Sequence, residues 1–275
     1  MSKSQHPVAL RLERQVGGAT RLLATVMGLP LVDGIFAALV LAGALETVGG
    51  ILQIGLLVFG GSATVAVVMV EMEGPPRYRL QQVGLVGIGV IGLAAVVAAL
   101  APTIAGIIDL TIFERFAALV MLAVAAKTAS ARVGEFLPRP AVIVGLGLLA
   151  SIDLSAATLA IQLETGLILR AALSGAVGVG FAGIIAALGP TIRDYVHLDR
   201  FRFGSAVALG MLPLGLLGFI PGNAPLAVLA VTGLLAFDPG ETAEPVTTPG
   251  QAAADGGSES ADPSDDDGQE RAPWL

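Results

Sequence analysis

From Val48 to Val70, and again from Val83 to Ile108, the chain carries no ionisable side chain. About 20 apolar residues wound as a helix cross a ~30 Å hydrocarbon core, and each run is longer than that. Inside lipid the backbone must satisfy its own polar groups, which leaves helices or closed barrels. Runs this long, without alternation, specify helices. Composition agrees: 55% of the 275 residues are hydrophobic and 13% charged, where soluble domains carry about 25% charged residues. The mean hydropathy is +0.83.

The net charge of −7 is unevenly spread. After Phe237 the sequence reads "DPGETAEPVTTPGQAAADGGSESADPSDDDGQERAPWL", with ten acids and one arginine. The rest of the chain is therefore slightly basic. A stretch so acidic and so poor in apolar residues cannot offset the entropy of ordering, so 238–275 reads as a disordered, solvated tail. The first residues, "MSKSQHPVALRLERQVGGATR", are basic and amphipathic rather than a cleavable signal, and the first apolar segment is expected to stay in the protein. With no cysteine in the chain, disulfides, thiolate nucleophiles and cysteine-held metals are excluded.

Apolar runs between charged or Pro/Gly breaks give eight segments: 22–45, 48–70, 82–104, 110–131, 141–163, 167–189, 203–220 and 223–237. Positive residues are retained on the cytoplasmic side. With the N-terminus inside, Lys3, Arg11, Arg14, Arg21, Arg77, Arg79, Lys127, Arg132, Arg139, Arg193, Arg200, Arg202 and Arg271 all fall inside; only Arg115 and Arg170 fall outside. That bias calls for an even number of crossings in a cell membrane, with both termini cytoplasmic.

Two stretches look alike. "GLPLVDGIFAALVLAGALETVGGIL" (28–52) and "GLLASIDLSAATLAIQLETGLIL" (147–169) each place an aspartate before an apolar stretch, then Leu-Glu-Thr. "RYR" (77–79) has a counterpart in "RFR" (200–202). The expected fold is all-α: a polytopic helical membrane protein of about eight transmembrane helices, in two parallel four-helix repeats. The first repeat is 22–131 and the second 141–237, after a basic segment 1–21 and before the acidic tail. Parallel repeats place a substrate site at their interface near mid-depth.

Asp33 and Asp153 are the informative polar residues, each about a dozen residues into an apolar segment. An ionised aspartate at the bilayer centre costs at least ~2.5–3.5 kcal/mol, so such a group is neutral, paired or wet. One reading makes the pair a proton or small-cation site, joined by Ser155, Thr158 and Gln162, which with Ser151 line one helical stripe. Another makes each aspartate the cap of a half-helix, beginning at Gly34 in the first case. A third is an interhelical hydrogen bond with no pathway. Glu46, Glu164 and Arg170 stand at the outer segment ends, as a charged pathway mouth or as interfacial residues. Glycines at 84, 87, 89 and 92, and at 175, 178, 180 and 183, serve close helix packing. They do not form a nucleotide loop, for no strand precedes them and no Gly-Lys-Ser/Thr follows. His6 and His197 lack metal-ligand spacing, and no nucleophile motif is present. The chain is therefore expected not to be an enzyme, to carry no cofactor or metal, and to bind no nucleic acid. Its partners are the lipid bilayer and a small cation or proton. Secondary transport of an ion or small solute is the expected function; the alternative is a structural or regulatory membrane protein.

From "QHPVALRLERQVGGATRLLATVMGLPLVDG" through the acidic tail, the chain resembles a family of multi-pass integral membrane proteins of halophilic archaea, of unknown function. The resemblance implies membrane location and a halophilic source; it supplies no catalytic or binding residues.

Overall fold

The computed structural model describes residues 17–153, 163–192 and 195–237, and the acidic tail lies outside them. The described residues are helical, with only two isolated β-bridges and no strand. The helices are α1 (Gly18–Val32), α2 (Ile35–Leu41), α3 (Val48–Ile54) continuing as a π-helical turn (Gly55–Phe59), α4 (Ser62–Ala66) continuing as a second (Val67–Glu71), α5 (Pro76–Ala105), α6 (Leu110–Ala129), α7 (Ala131–Phe136), α8 (Pro140–Ala150), α9 (Thr165–Ile192), α10 (Leu198–Leu216) and α11 (Ala224–Ala236).

Local chemistry sets many of these boundaries. Pro76 and Pro140 begin their helices, where a missing N–H costs nothing. Asp109 caps α6, its carboxylate accepting from the amides of Thr111 at 2.8 Å and Ile112 at 3.2 Å. Asp109→Ala is expected to lower stability by about 1 kcal/mol in a detergent melt, the usual cost of removing such a cap. The turn before α6 is also pinned from outside: the Asp109 amide donates to the Ser151 carbonyl, and the Asp153 amide donates to the Ile107 carbonyl.

Among the described residues, two helices, α5 and Thr165–Gly189 of α9, are long and apolar enough to cross a membrane; the number rises to four if each bent pair, α1–α2 and α3–α4, counts as one span. This is fewer than eight, for physical reasons that differ by segment. The first segment is bent by 42° and the second by 51°. α6 has 20 residues but carries Glu114, Arg115 and Lys127. The fifth segment is described as helix only over the 11 residues of α8. α10 starts at Leu198 rather than 203, taking Asp199, Arg200 and Arg202 into its first turns. α11, with 13 residues, reaches about 20 Å, short of a ~30 Å core.

The core is apolar and continuous. Leu23, Met27 and Leu31 bury one face of α1, and Phe36 and Leu39 extend it through α2. α5 and α9 meet through glycines: a Cβ on Gly175 would stand 3.4 Å from the Ile91 Cα, and one on Gly87 would strike Val179. Outward faces stay apolar, with Ile88 76% and Leu234 77% exposed.

Candidate functional site at two helix breaks

The first apolar segment breaks at the aspartate. Pro30 has no N–H to donate to the carbonyl of Val26, and Gly34 then takes a left-handed φ of 78°, open to glycine at little cost. Asp33 ends α1 as its C-terminal cap residue, its amide donating to Leu29 at 2.8 Å. It does not cap α2, which begins behind Gly34 with no side-chain cap. The expected aspartate cap of a half-helix starting at 34 is therefore not formed. Asp33 is half-buried, and the cations whose fields reach it are Lys127, near the end of α6, and Arg139, just before α8. The same end of the bundle is tied by Arg202, whose Nε donates to the Thr128 carbonyl at 3.1 Å.

The second segment breaks at Gly60–Gly61, with a π-helical turn on either half. The Gly60 amide donates back five residues to Gly55 at 2.9 Å, and the Thr64 hydroxyl donates to the Phe59 carbonyl at 2.7 Å. π-turns inside α-helices are rare and recur at functional sites. The two breaks are neighbours: Phe36, two residues after Gly34, and Phe59, just before Gly60, have ring centroids 5.2 Å apart. α9 closes the other side. A Cβ on Gly178 would lie 2.7 Å from the Gly55 carbonyl oxygen and would overlap Phe59. The Ser174 hydroxyl, fully buried one turn earlier, has no hydrogen-bond partner. Gln53, also buried, donates from Nε2 to the Gly222 carbonyl ahead of α11.

The other expected site residues fall elsewhere. Asp153 is half-buried just past α8, held by its amide to Ile107 beside the start of α6. The first break instead touches α8 one turn in, at Val144, where a Cβ on Gly34 would lie 3.1 Å from Val144 Cγ1. From Val144 to the end of α8 is roughly 9 Å of helix, so the first break and the Asp153 backbone meet their neighbours at different places along the chain of α8. Ser155, Thr158 and Gln162 lie outside the described residues. Glu46, Glu164 and Arg170 are exposed. Thr47, next to Glu46, caps α3 by accepting from the Gly50 amide at 3.0 Å. Gln53 is buried, whereas Arg170 is exposed. Among the described residues, no three His, Asp or Glu side chains gather as a metal site.

Ser174 reads from sequence only as a small residue at the head of the glycine packing stripe in "SGAVGVGFAG", and the second break is not among the sequence expectations. The signal available was "GGS" (60–62) in the middle of an apolar run, a glycine pair where a membrane helix needs none. Chemically, the two neighbouring breaks interrupt the regular helical hydrogen bonding of both segments, with a half-buried carboxylate at one of them.

A profile described as a family of unknown function (DUF5794) matches residues 90–217, a little under half of the chain. The matched stretch runs from the middle of α5 through α10; it includes Asp153, Ser174 and Gly178, and excludes both helix breaks. No curated protein matches, and no solved structure matches.

Proposed function

We propose that this chain is a multi-pass membrane protein that moves an ion or small solute, with the paired breaks at Asp33–Gly34 and Gly60–Gly61 forming part of its pathway. The single observation that carries this reading is the juxtaposition of the breaks around the Phe36–Phe59 contact, with a half-buried carboxylate at one of them. Non-helical backbone at membrane depth is tolerated only where protein buries it or water lines it, and discontinuous helices form the binding sites of many transporters. The eight-segment arrangement, with cytoplasmic termini and two parallel repeats, belongs to the same proposal. It is supported by the arginine bias and by the position of each aspartate just past a short helix, α1 in one half and α8 in the other. The acidic tail and the arginine-rich basic set fit a halophilic source, where salt screens surface charge.

The charge environment of Asp33 favours a second reading. The fields of Lys127 and Arg139 reach the carboxylate, and a cation of the protein in place of a solute would make the break a structural contact in a protein with no pathway.

The absence of cysteine allows a direct test. Single substitutions Asp33→Cys and Asp153→Cys, with Ile54→Cys and Val90→Cys as buried controls, are treated in membranes with a small impermeant thiol reagent. Rapid labelling at 33 and 153, with silent controls, is the expected result for a wet pathway. A folded protein that reacts at neither aspartate position removes the transport reading and leaves the structural one.

A further inference from the structure

α1 and α5 do not close against each other along their whole length. Between them runs an open groove of about 730 Å³, floored by Gly28 and Gly89 and walled by Val32, Leu85 and Leu93. Thr20 and Arg21 line it at the start of α1. That volume is in the range of small-molecule sites, but the walls are almost entirely hydrocarbon.

Its start is polar in a specific way. Gly17 precedes α1 with no side-chain cap, and the first turn holds no acidic residue. The amides of the first turn therefore lack side-chain partners and carry the positive end of the helix dipole. Arg21 is exposed. The Thr25 hydroxyl is satisfied by the Arg21 carbonyl at 2.9 Å. The Thr20 hydroxyl, on a residue only 2% exposed, has no hydrogen-bond partner among the described residues. A buried hydroxyl without a partner is unusual in a native structure and asks for a ligand or ordered water.

We propose that this groove binds an anionic phospholipid, its phosphate held by Arg21, the Thr20 hydroxyl and the first amides of α1, and one acyl chain laid along the glycines. Charge supports that occupant: an anion matches a guanidinium and a helix N-terminus. Length supports it too, for Thr20 to Val32 spans about 18 Å of helix, close to the ~15 Å of one leaflet's hydrocarbon. The site is independent of the transport reading and survives its failure.

The test uses the full chain, purified from bilayers of equal phosphatidylglycerol and phosphatidylcholine and weighed by native mass spectrometry. The wild type retains phosphatidylglycerol in preference to phosphatidylcholine. Arg21→Gln lowers that preference by about tenfold, the scale of losing one charge-assisted contact. Gly89→Leu, where a Cβ meets nothing within 4 Å, fills the groove and loses the bound lipid with an unchanged melting temperature. Gly92→Leu, equally open but not lining the groove, keeps it. Equal lipid retention by wild type and Gly89→Leu overturns the proposal. So does a Gly89→Leu change in oligomeric mass without a change in bound lipid, which assigns the groove to a second copy of this chain.

Discussion

Gly178→Ala is expected to destabilise the protein by about 1–3 kcal/mol in a detergent unfolding titration, while Gly180→Ala, two residues further along α9, leaves it unchanged or raises it by up to about 1 kcal/mol. Both changes trade glycine for a better helix former in the same helix, so propensity alone predicts a gain for each. The difference lies in what each Cβ would meet. At Gly178 it would overlap Phe59 and stand 2.7 Å from the Gly55 carbonyl oxygen. That oxygen belongs to backbone already committed to the Gly60 amide, so it cannot swing away as a flexible side chain would. At Gly180 nothing lies within 4 Å. The reciprocal position behaves alike: a Cβ on Gly55 would lie 2.6 Å from Val177 Cβ and 2.7 Å from the Ser174 carbonyl. Equal melting midpoints for the two variants would mean that α9 does not seat against the second break as described.

Gly34→Ala carries the second large effect. Its backbone sits at φ 78°, where an L-residue with a Cβ costs about 1–2 kcal/mol, and the added methyl would press on Val144 Cγ1 at 3.1 Å. A total loss of about 2–3 kcal/mol follows if strain and crowding add. The two parts separate experimentally. Gly34→Asn tolerates the left-handed conformation better but still crowds Val144. Combining Gly34→Ala with Val144→Ala relieves the crowding and leaves the strain, so the pair should couple by about 0.5–1 kcal/mol. Strict additivity would show that the break does not rest on α8 at Val144.

How much of this is legible in the sequence depends on which residue signals the feature. Long charge-free runs announce α5 and α9, and Pro76 and Pro140 mark helix starts. The glycine stripe of α9 reads as packing, and Gly175 and Gly178 do pack, yet a Cβ on Gly183 would only reach ordinary contact with Leu80 and one on Gly180 would meet nothing within 4 Å. Periodicity can name a stripe but not its depth of contact. The breaks are harder. A hydropathy window sums over Asp33 and Gly34 and reports one segment, whereas a single left-handed glycine turns the axis by 42°. The π-turns leave no compositional mark, since they differ from α-helix in hydrogen-bond register rather than in residue type. The likeness of the two stretches suggests matched aspartates, but it does not tell their neighbours: Gly34 beside Asp33 rests against Val144, and the Asp153 amide is tied to Ile107. The aspartate itself, alone in its apolar run, was the sound clue to the first break.

The two π-turns have a consequence for how this chain can tolerate change in length. Each closes its loop over five residues where an α-turn needs four, so each holds one residue more than a regular winding would. Removing a residue from a regular α-helix rotates everything beyond it by about 100°. In α9 a deletion would carry Gly175 and Gly178 off their contacts with nothing to absorb it. The bent pair 48–71 already contains two such surplus residues, flanking a glycine pair where the axis turns anyway. Loss of one there converts a wide turn into an ordinary one and leaves the partner helices in place. An insertion or deletion inside an apolar segment is expected to be tolerated best here, in the only described helices with slack to lose.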